Sequence, residues 1–183
     1  MERPITTAVL VIDVQHVLCT GAEAAYDFIG VIERINAVSA KARAVGAPVI
    51  FVQHEEAEGA FKFGSDGWQL ASGIETRSDD VRVRKTTPDS FNLTELHALL
   101  QARSITHLAI CGLQSDFCVD TTVRRALALG YEVLLVADAH STVDNGVLSA
   151  AQIIAHHNAT LSNITSFGPR ARLFLAEEIR IDG

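Results

Sequence analysis

Short runs rich in Val, Ile and Leu recur along this chain, separated by stretches with helical spacing, and that alternation constrains its fold most. The runs are Thr7 to Val14 (TAVLVIDV), Pro48 to Gln53 (PVIFVQ), Leu108 to Cys111 (LAIC) and Glu132 to Ala137 (EVLLVA). A strand that is apolar on both faces belongs in a parallel sheet covered by helices, because only there are both faces removed from water. Between the runs, Glu23 to Val45 sets Phe28, Val31, Ile32, Ile35 and Val38 on one helical stripe that Gly46 is placed to end. Asn92 to Ala102 predicts a helix capped by Asn92, with Glu95 three residues on, and Val147 to His157 predicts another. Val81 to Arg84 alternates as a short strand ending at Lys85, and Ala159 to Ser162 reads as a last one; the remainder to Gly183 is ambiguous. Strand and helix alternating in this way predict a three-layer α/β/α sandwich around a mostly parallel sheet.

At 183 residues, with 48% hydrophobic and 20% charged residues, the chain suits one domain spanning residues 1–183 with a substantial core. The net charge of -7 and scattered basic residues argue against a nucleic-acid partner. No apolar run approaches membrane-spanning length, and no basic segment leads into an apolar one at the start, so neither a membrane partner nor a signal peptide is expected. Three cysteines fit a reducing, cytoplasmic setting with a free thiol.

In a parallel α/β sheet, ligands sit at the carboxyl ends of the strands. Asp13 ends the first run, Lys85 follows the VRVR strand, and Cys118 lies just past Gly112 and the polar turn Gln114-Ser115-Asp116. With Ser115 as N-cap, Cys118 occupies the N3 position of a helix, where the dipole favours a thiolate. Asp13 is then placed to take the thiol proton, Lys85 to hold both groups ionised, and backbone N–H groups near Gln114 and Cys118 to form an oxyanion hole. Each residue also has an ordinary reading: a free cysteine usually packs as a small hydrophobe, and Cys111 is read that way. An Asp after a strand commonly forms a turn, and a lone Lys is commonly solvated. Cys19 is left open between the two readings.

Four blocks carry a resemblance: VLVIDVQ (Val9 to Gln15), VRKTTPDSF (Val83 to Phe91), CGLQSDFCVDTTVRRALALGYEV (Cys111 to Val133) and DAHST (Asp138 to Thr142). In this order they resemble the isochorismatase-like cysteine hydrolases, over about residues 5 to 165. The resemblance implies a six-stranded parallel sheet, a Cys-Asp-Lys triad at Asp13, Lys85 and Cys118, and a non-proline cis peptide joining Leu113 to Gln114. That bond would turn the Gln114 N–H towards the oxyanion site beside the N–H of Cys118. Metal-containing relatives of the nicotinamidase kind carry D-x-H after the second strand; here the place reads Val52-Gln53-His54, so no metal and no cofactor is expected. His54 then becomes a pocket-wall residue, with Gln15, Trp68, Phe91 and Gln114 as further substrate contacts. His140, in the DAHST turn, is read as organising that turn, and the adjacent His156 and His157 point about 100° apart on a helix.

The expected function is metal-independent hydrolysis of a small-molecule amide through a thioester-type intermediate. The alternatives are vinyl-ether hydrolysis, which needs an acid more than a nucleophile, and a non-catalytic binding or redox protein in which Cys19 pairs with Cys118. The long irregular stretch His54 to Asp80 and the segment Val17 to Tyr26 are where substrate choice is expected to lie. Apolar residues near the C-terminus, Leu173, Phe174, Leu175 and Ile179, pack on the domain or on a second subunit, and by resemblance a homodimer or homotetramer is expected.

Overall fold

A computed structural model describes residues 6–183. Six strands form one sheet: β1 (Thr7–Ile12), β2 (Val49–His54), β3 (Val81–Lys85), β4 (His107–Leu113), β5 (Glu132–Ser141) and β6 (Ala171–Phe174). Their order is β3-β2-β1-β4-β5-β6, and every neighbouring pair is parallel. The helices are α1 (Phe28–Ala44), α2 (Leu96–Ala102), α3 (Asp120–Ala128) and α4 (Ala150–Ser162). Among the described residues no helix is long and apolar enough to cross a membrane.

The period-two alternation of the central strands divides the core. Val9 and Val11 of β1, Phe51 of β2 and Cys111 of β4 meet Ile35 and Val38 of α1 and the C-terminal Ile179 on one face. Leu10 and Ile12, Val52, Leu108 and Ile110 meet Leu96 and Leu100 of α2 and Val123 and Leu127 of α3 on the other. The three-layer reading therefore holds, with the sheet parallel throughout. The chain runs outward from β1 through β2 to β3, then crosses back to β4 and runs outward the other way. The gap between β1 and β4 is thus the topological switch point, where a crevice opens at the carboxyl ends.

Several element boundaries differ from expectation. Ala159 to Ser162 is the last turn of α4, not a strand: Leu161 stays buried on the helix's inner face, and Ser162 Oγ and Asn163 Nδ2 donate back to carbonyls of that turn. The sixth strand is instead β6, inside the stretch that reads as ambiguous. Helix α1 starts at Phe28, because Asp27 takes a left-handed φ of 48° that a continuing helix does not accept. Asn92 does not cap α2, which begins at Leu96 after Leu93 turns left-handed. Helix α4 begins at Ala150 behind a Ser149–Gln152 capping box. Near the C-terminus Ile179 is buried in the domain, whereas Leu173 and Leu175 are exposed.

Candidate active site

Strand register brings the reactive residues together. Ile12 pairs with Val52 on one side and Gly112 on the other, so Asp13 emerges level with Gln53 and Leu113 at the crevice, one residue short of His54. Lys85 is the last residue of β3, and β2 stands between it and Asp13. Two strand spacings are roughly 10 Å, a distance that suits the long lysine side chain. The Lys85 ammonium is fully buried and donates to Asp13 Oδ2 at 2.7 Å and to Cys118 Sγ at 3.2 Å. The other carboxylate oxygen, Asp13 Oδ1, is buried and has no hydrogen-bond partner among the described residues. Asp13 itself sits at a left-handed φ of 49°, a conformation an aspartate tolerates better than most residues.

Cys118 reaches this cluster through a close approach of β4 to β1. Gly112 has φ 119°, and a methyl group at its Cα would run into the backbone carbonyl oxygen of Ile12 and stand 2.6 Å from its nitrogen. Only glycine lets the two strands meet here. The Leu113–Gln114 peptide that follows is cis. Ser115–Val119 is a single wide turn of π-helix, in which the Gln114 carbonyl accepts the N–H groups of Phe117 and Val119 and passes over that of Cys118.

This turn corrects the expected origin of the thiol's reactivity. Ser115 is not an N-cap: its hydroxyl is 2.8 Å from His140 Nδ1 at the end of β5. His140 Nε2 lies 2.9 Å from Asn158 Oδ1, and Asn158 Nδ2 donates to the Ala137 carbonyl at 3.0 Å. The asparagine oxygen can only accept, which places the imidazole proton on Nε2 and makes Ser115 the donor to Nδ1. Burial holds His140 below its ordinary value, so the ring is a neutral strut between α4 and the turn that carries Cys118. Thr142 adds a second tie, donating to Asp116 Oδ1 at 2.6 Å. Burial, and next the Asp13 charge, push the Cys118 thiol up to about 12 against the opposing pull of Lys85. The resting group is therefore a thiol with a base beside it, not the thiolate expected from a helix start.

A cavity of about 300 Å³ opens on the cluster. Asp13, Gln114 and Cys118 form its floor, His54, Glu56 and Phe61 one wall, and Leu18, Pro88 and Phe117 the other surfaces. The Phe61 ring meets the His54 ring edge-on at 5.3 Å. Of the expected substrate contacts, His54 and Gln114 are on this cavity and three are not. Gln15 is wholly buried, with Nε2 donating to the carbonyls of His54 and Trp68 and Oε1 accepting the His54 N–H, so no part of its amide is left for a ligand. Trp68 lines a separate cavity beside β3 with Phe63, Arg82 and Arg84. Phe91 packs in the core on Tyr131, with ring centroids 6.0 Å apart. Glu56, Phe61, Leu18, Pro88 and Phe117 also line the cavity; their position in the two irregular segments or the matched blocks is the one sign of them that the sequence offers. Cys19 is buried in the core against α1. His156 and His157 contact each other, and His157 faces Asp120. Among the described residues no three His, Cys, Asp or Glu side chains are grouped so as to share a metal ion.

A fully parallel α/β sheet with an Asp-Lys-Cys cluster at its switch point defines a recognisable class of cleft protein. The model of the isochorismatase domain matches residues 7–166, and the chain belongs to the isochorismatase family. A crystal structure of an isochorismatase family protein, 40% identical, superposes with a TM-score of 0.84 over 92% of this chain and 97% of that one. Streptothricin hydrolase of Streptomyces noursei is 43% identical over 138 residues, which are 75% of this chain and 50% of that protein. A second streptothricin hydrolase from the same organism is 39% identical and matched over 56% of its length, so this chain spans about half the length of these curated relatives. The ureidoacrylate amidohydrolase RutB of Caulobacter vibrioides is 27% identical over 173 residues, 74% of this chain and 77% of the relative.

Proposed function

We propose that the protein is a metal-independent cysteine hydrolase that cleaves a small-molecule amide through Asp13, Lys85 and Cys118. One observation carries the reading: the Lys85 ammonium bridges Asp13 and Cys118 at 2.7 and 3.2 Å, while Asp13 Oδ1 stays unpartnered on the same cavity as the thiol. The relatives named as hydrolase and amidohydrolase support it.

The residues divide the chemistry as follows. Asp13 Oδ1 takes the thiol proton as Cys118 Sγ bonds to the carbonyl carbon, because a thiol raised to about 12 does not ionise alone near neutrality. The carbonyl oxygen becomes an oxyanion held by the N–H groups of Gln114 and Cys118. When the tetrahedral adduct collapses, the C–N bond breaks and the amine leaves with the proton from Asp13, giving a thioester. Water then gives a proton to Asp13 and adds to the thioester carbon. The second collapse breaks the C–S bond, and Cys118 regains the proton as the acid departs. Lys85 stays charged throughout and balances whichever neighbour is anionic.

A panel of carboxamides and esters run on wild type and C118A tests this. The proposal expects turnover only in wild type, with an acyl adduct on Cys118 caught by mass spectrometry. Full turnover of these substrates by C118A would refute it, and cleavage of an added vinyl ether by wild type and C118A but not by D13N would favour vinyl-ether hydrolysis.

A further inference from the structure

The charged groups around the cavity are unevenly distributed. Among the described residues the lining includes two carboxylates, Asp13 and Glu56, and no Lys or Arg. Asp13 is already matched by Lys85, whose ammonium is buried and committed to Asp13 and Cys118. Two cations of the surrounding segments are engaged elsewhere: Arg84 faces Glu55 at 3.5 Å and lies over the Phe63 ring, and Arg125 faces Asp89 at 3.7 Å. Lys62, whose backbone bridges to that of Glu56, makes no ion pair with it and is not part of the lining. What remains on the lining is one carboxylate with no Lys or Arg partner, Glu56, more than half exposed and 3.6 Å from His54 Nε2. The other nitrogen of that ring, Nδ1, is buried without a partner.

We infer that Glu56 sets substrate class: the cleft takes small amides bearing a positive charge close to the scissile carbonyl and rejects those bearing a carboxylate there. This inference rests on the amide-hydrolase reading above and names its substrate. An ammonium or guanidinium group beside Glu56 gains an ion pair at the mouth of a cleft that partly excludes water. A carboxylate in that place meets Glu56 with no Lys or Arg on the cavity lining to offset it, and is repelled. The apolar remainder of the wall, Leu18, Phe61, Pro88 and Phe117, leaves a carbon chain of a few atoms as the natural spacer.

The test compares three primary amides of similar length: 4-aminobutanamide, pentanamide and succinamate. The readout is the ratio of their kcat/KM values in wild type, E56Q and E56K, with KM and kcat resolved separately. Wild type should prefer the ammonium amide to the neutral one by about fivefold, expressed in KM, and succinamate should be the poorest. E56Q should bring the ammonium-to-neutral ratio towards one, and E56K should invert the order. A wild-type preference for succinamate, or an ammonium preference that E56Q leaves intact, overturns the inference. The same amides titrated onto C118A and C118A/E56Q, followed by NMR shifts of the cleft, give the binding order without turnover. Absence of hydrolysis in wild type would therefore defeat the hydrolase reading, while the binding order alone still decides the role of Glu56.

Discussion

Replacing Asp13 by Asn should move two properties of Cys118 in opposite directions. In the wild-type protein the thiol is raised from 9.0 to about 12, chiefly by burial, then by the Asp13 charge, with Lys85 opposing. At pH 8 a group at 9.0 is about 10% ionised and one at 12 about 0.01%, so wild-type Cys118 should alkylate about a thousandfold more slowly than an ordinary thiol. That ratio corresponds to about 4 kcal/mol against the thiolate. Asparagine removes the negative charge and keeps the shape. It also deprives the buried Lys85 of its carboxylate, leaving the sulfur as the remaining acceptor of its N–H groups. Iodoacetamide labelling of Cys118 should then accelerate by at least about tenfold, or about 1.4 kcal/mol. That is well within the ~4 kcal/mol a unit charge exerts at about 4 Å and an effective dielectric of about 20. Amide hydrolysis should fall by about 10² to 10⁴ in the same variant, because the proposed general base is gone. The assay is a pH series of labelling rates read by peptide mass spectrometry, which separates Cys118 from Cys19 and Cys111, alongside kcat on the best amide of the panel. A far-UV spectrum and an unfolding midpoint establish that D13N is folded. If D13N slows labelling as well as turnover, or if wild-type labelling saturates with a midpoint near pH 7, the resting thiol and the proton-accepting role of Asp13 are both refuted.

Gly112→Ala should destabilise the fold by about 3 kcal/mol or more, because the added methyl runs into the backbone of Ile12 and φ 119° disfavours any side chain; urea midpoints measure it, and a loss under about 1 kcal/mol would mean the strands part easily. His140 is held below its ordinary 6.5 by burial, so the folded protein keeps the ring neutral where the unfolded chain takes up a proton. Stability should therefore fall as pH drops below about 6.5, by at most about 1.4 kcal/mol per unit, and H140Q should flatten that limb when midpoints at pH 5 and 7 are compared.

The central strands were legible because each is buried on both faces and so reads as an unbroken apolar run. The edge strands were harder. β3 alternates Val with exposed Arg, and β6 keeps only Ala171 fully buried among four residues, so its sequence carries no period that separates it from a loop. Asp13, Lys85 and Cys118 could be placed at one edge from strand ends alone, since parallel register makes strand ends neighbours. The ionisation of the thiol could not. The sequence shows a cysteine near a helix start, which favours a thiolate, whereas burial and the Asp13 carboxylate are tertiary and reverse the sign. Phe91 and Trp68 were misplaced for a related reason. Both follow or flank cleft segments in the chain, but neither's sequence position records which side of the sheet its ring will face.

Gln15 carries the same lesson in the other direction. Two residues past Asp13, a glutamine looks like a ligand contact, yet its amide is bonded on both sides to the loop that leaves β2. Gln53 donates to the same Trp68 carbonyl at 2.9 Å, so two buried glutamines hold the start of the irregular stretch against β1. Unpaired, those backbone groups would each cost about 1–3 kcal/mol in the interior. The loop thus cannot shift without breaking bonds to the segment that carries Asp13. His54, Glu56 and Phe61 leave from this clamped point, which fixes the wall proposed to choose the substrate relative to the base proposed to activate the thiol. A residue that never touches the ligand can in this way set the distance between selection and chemistry.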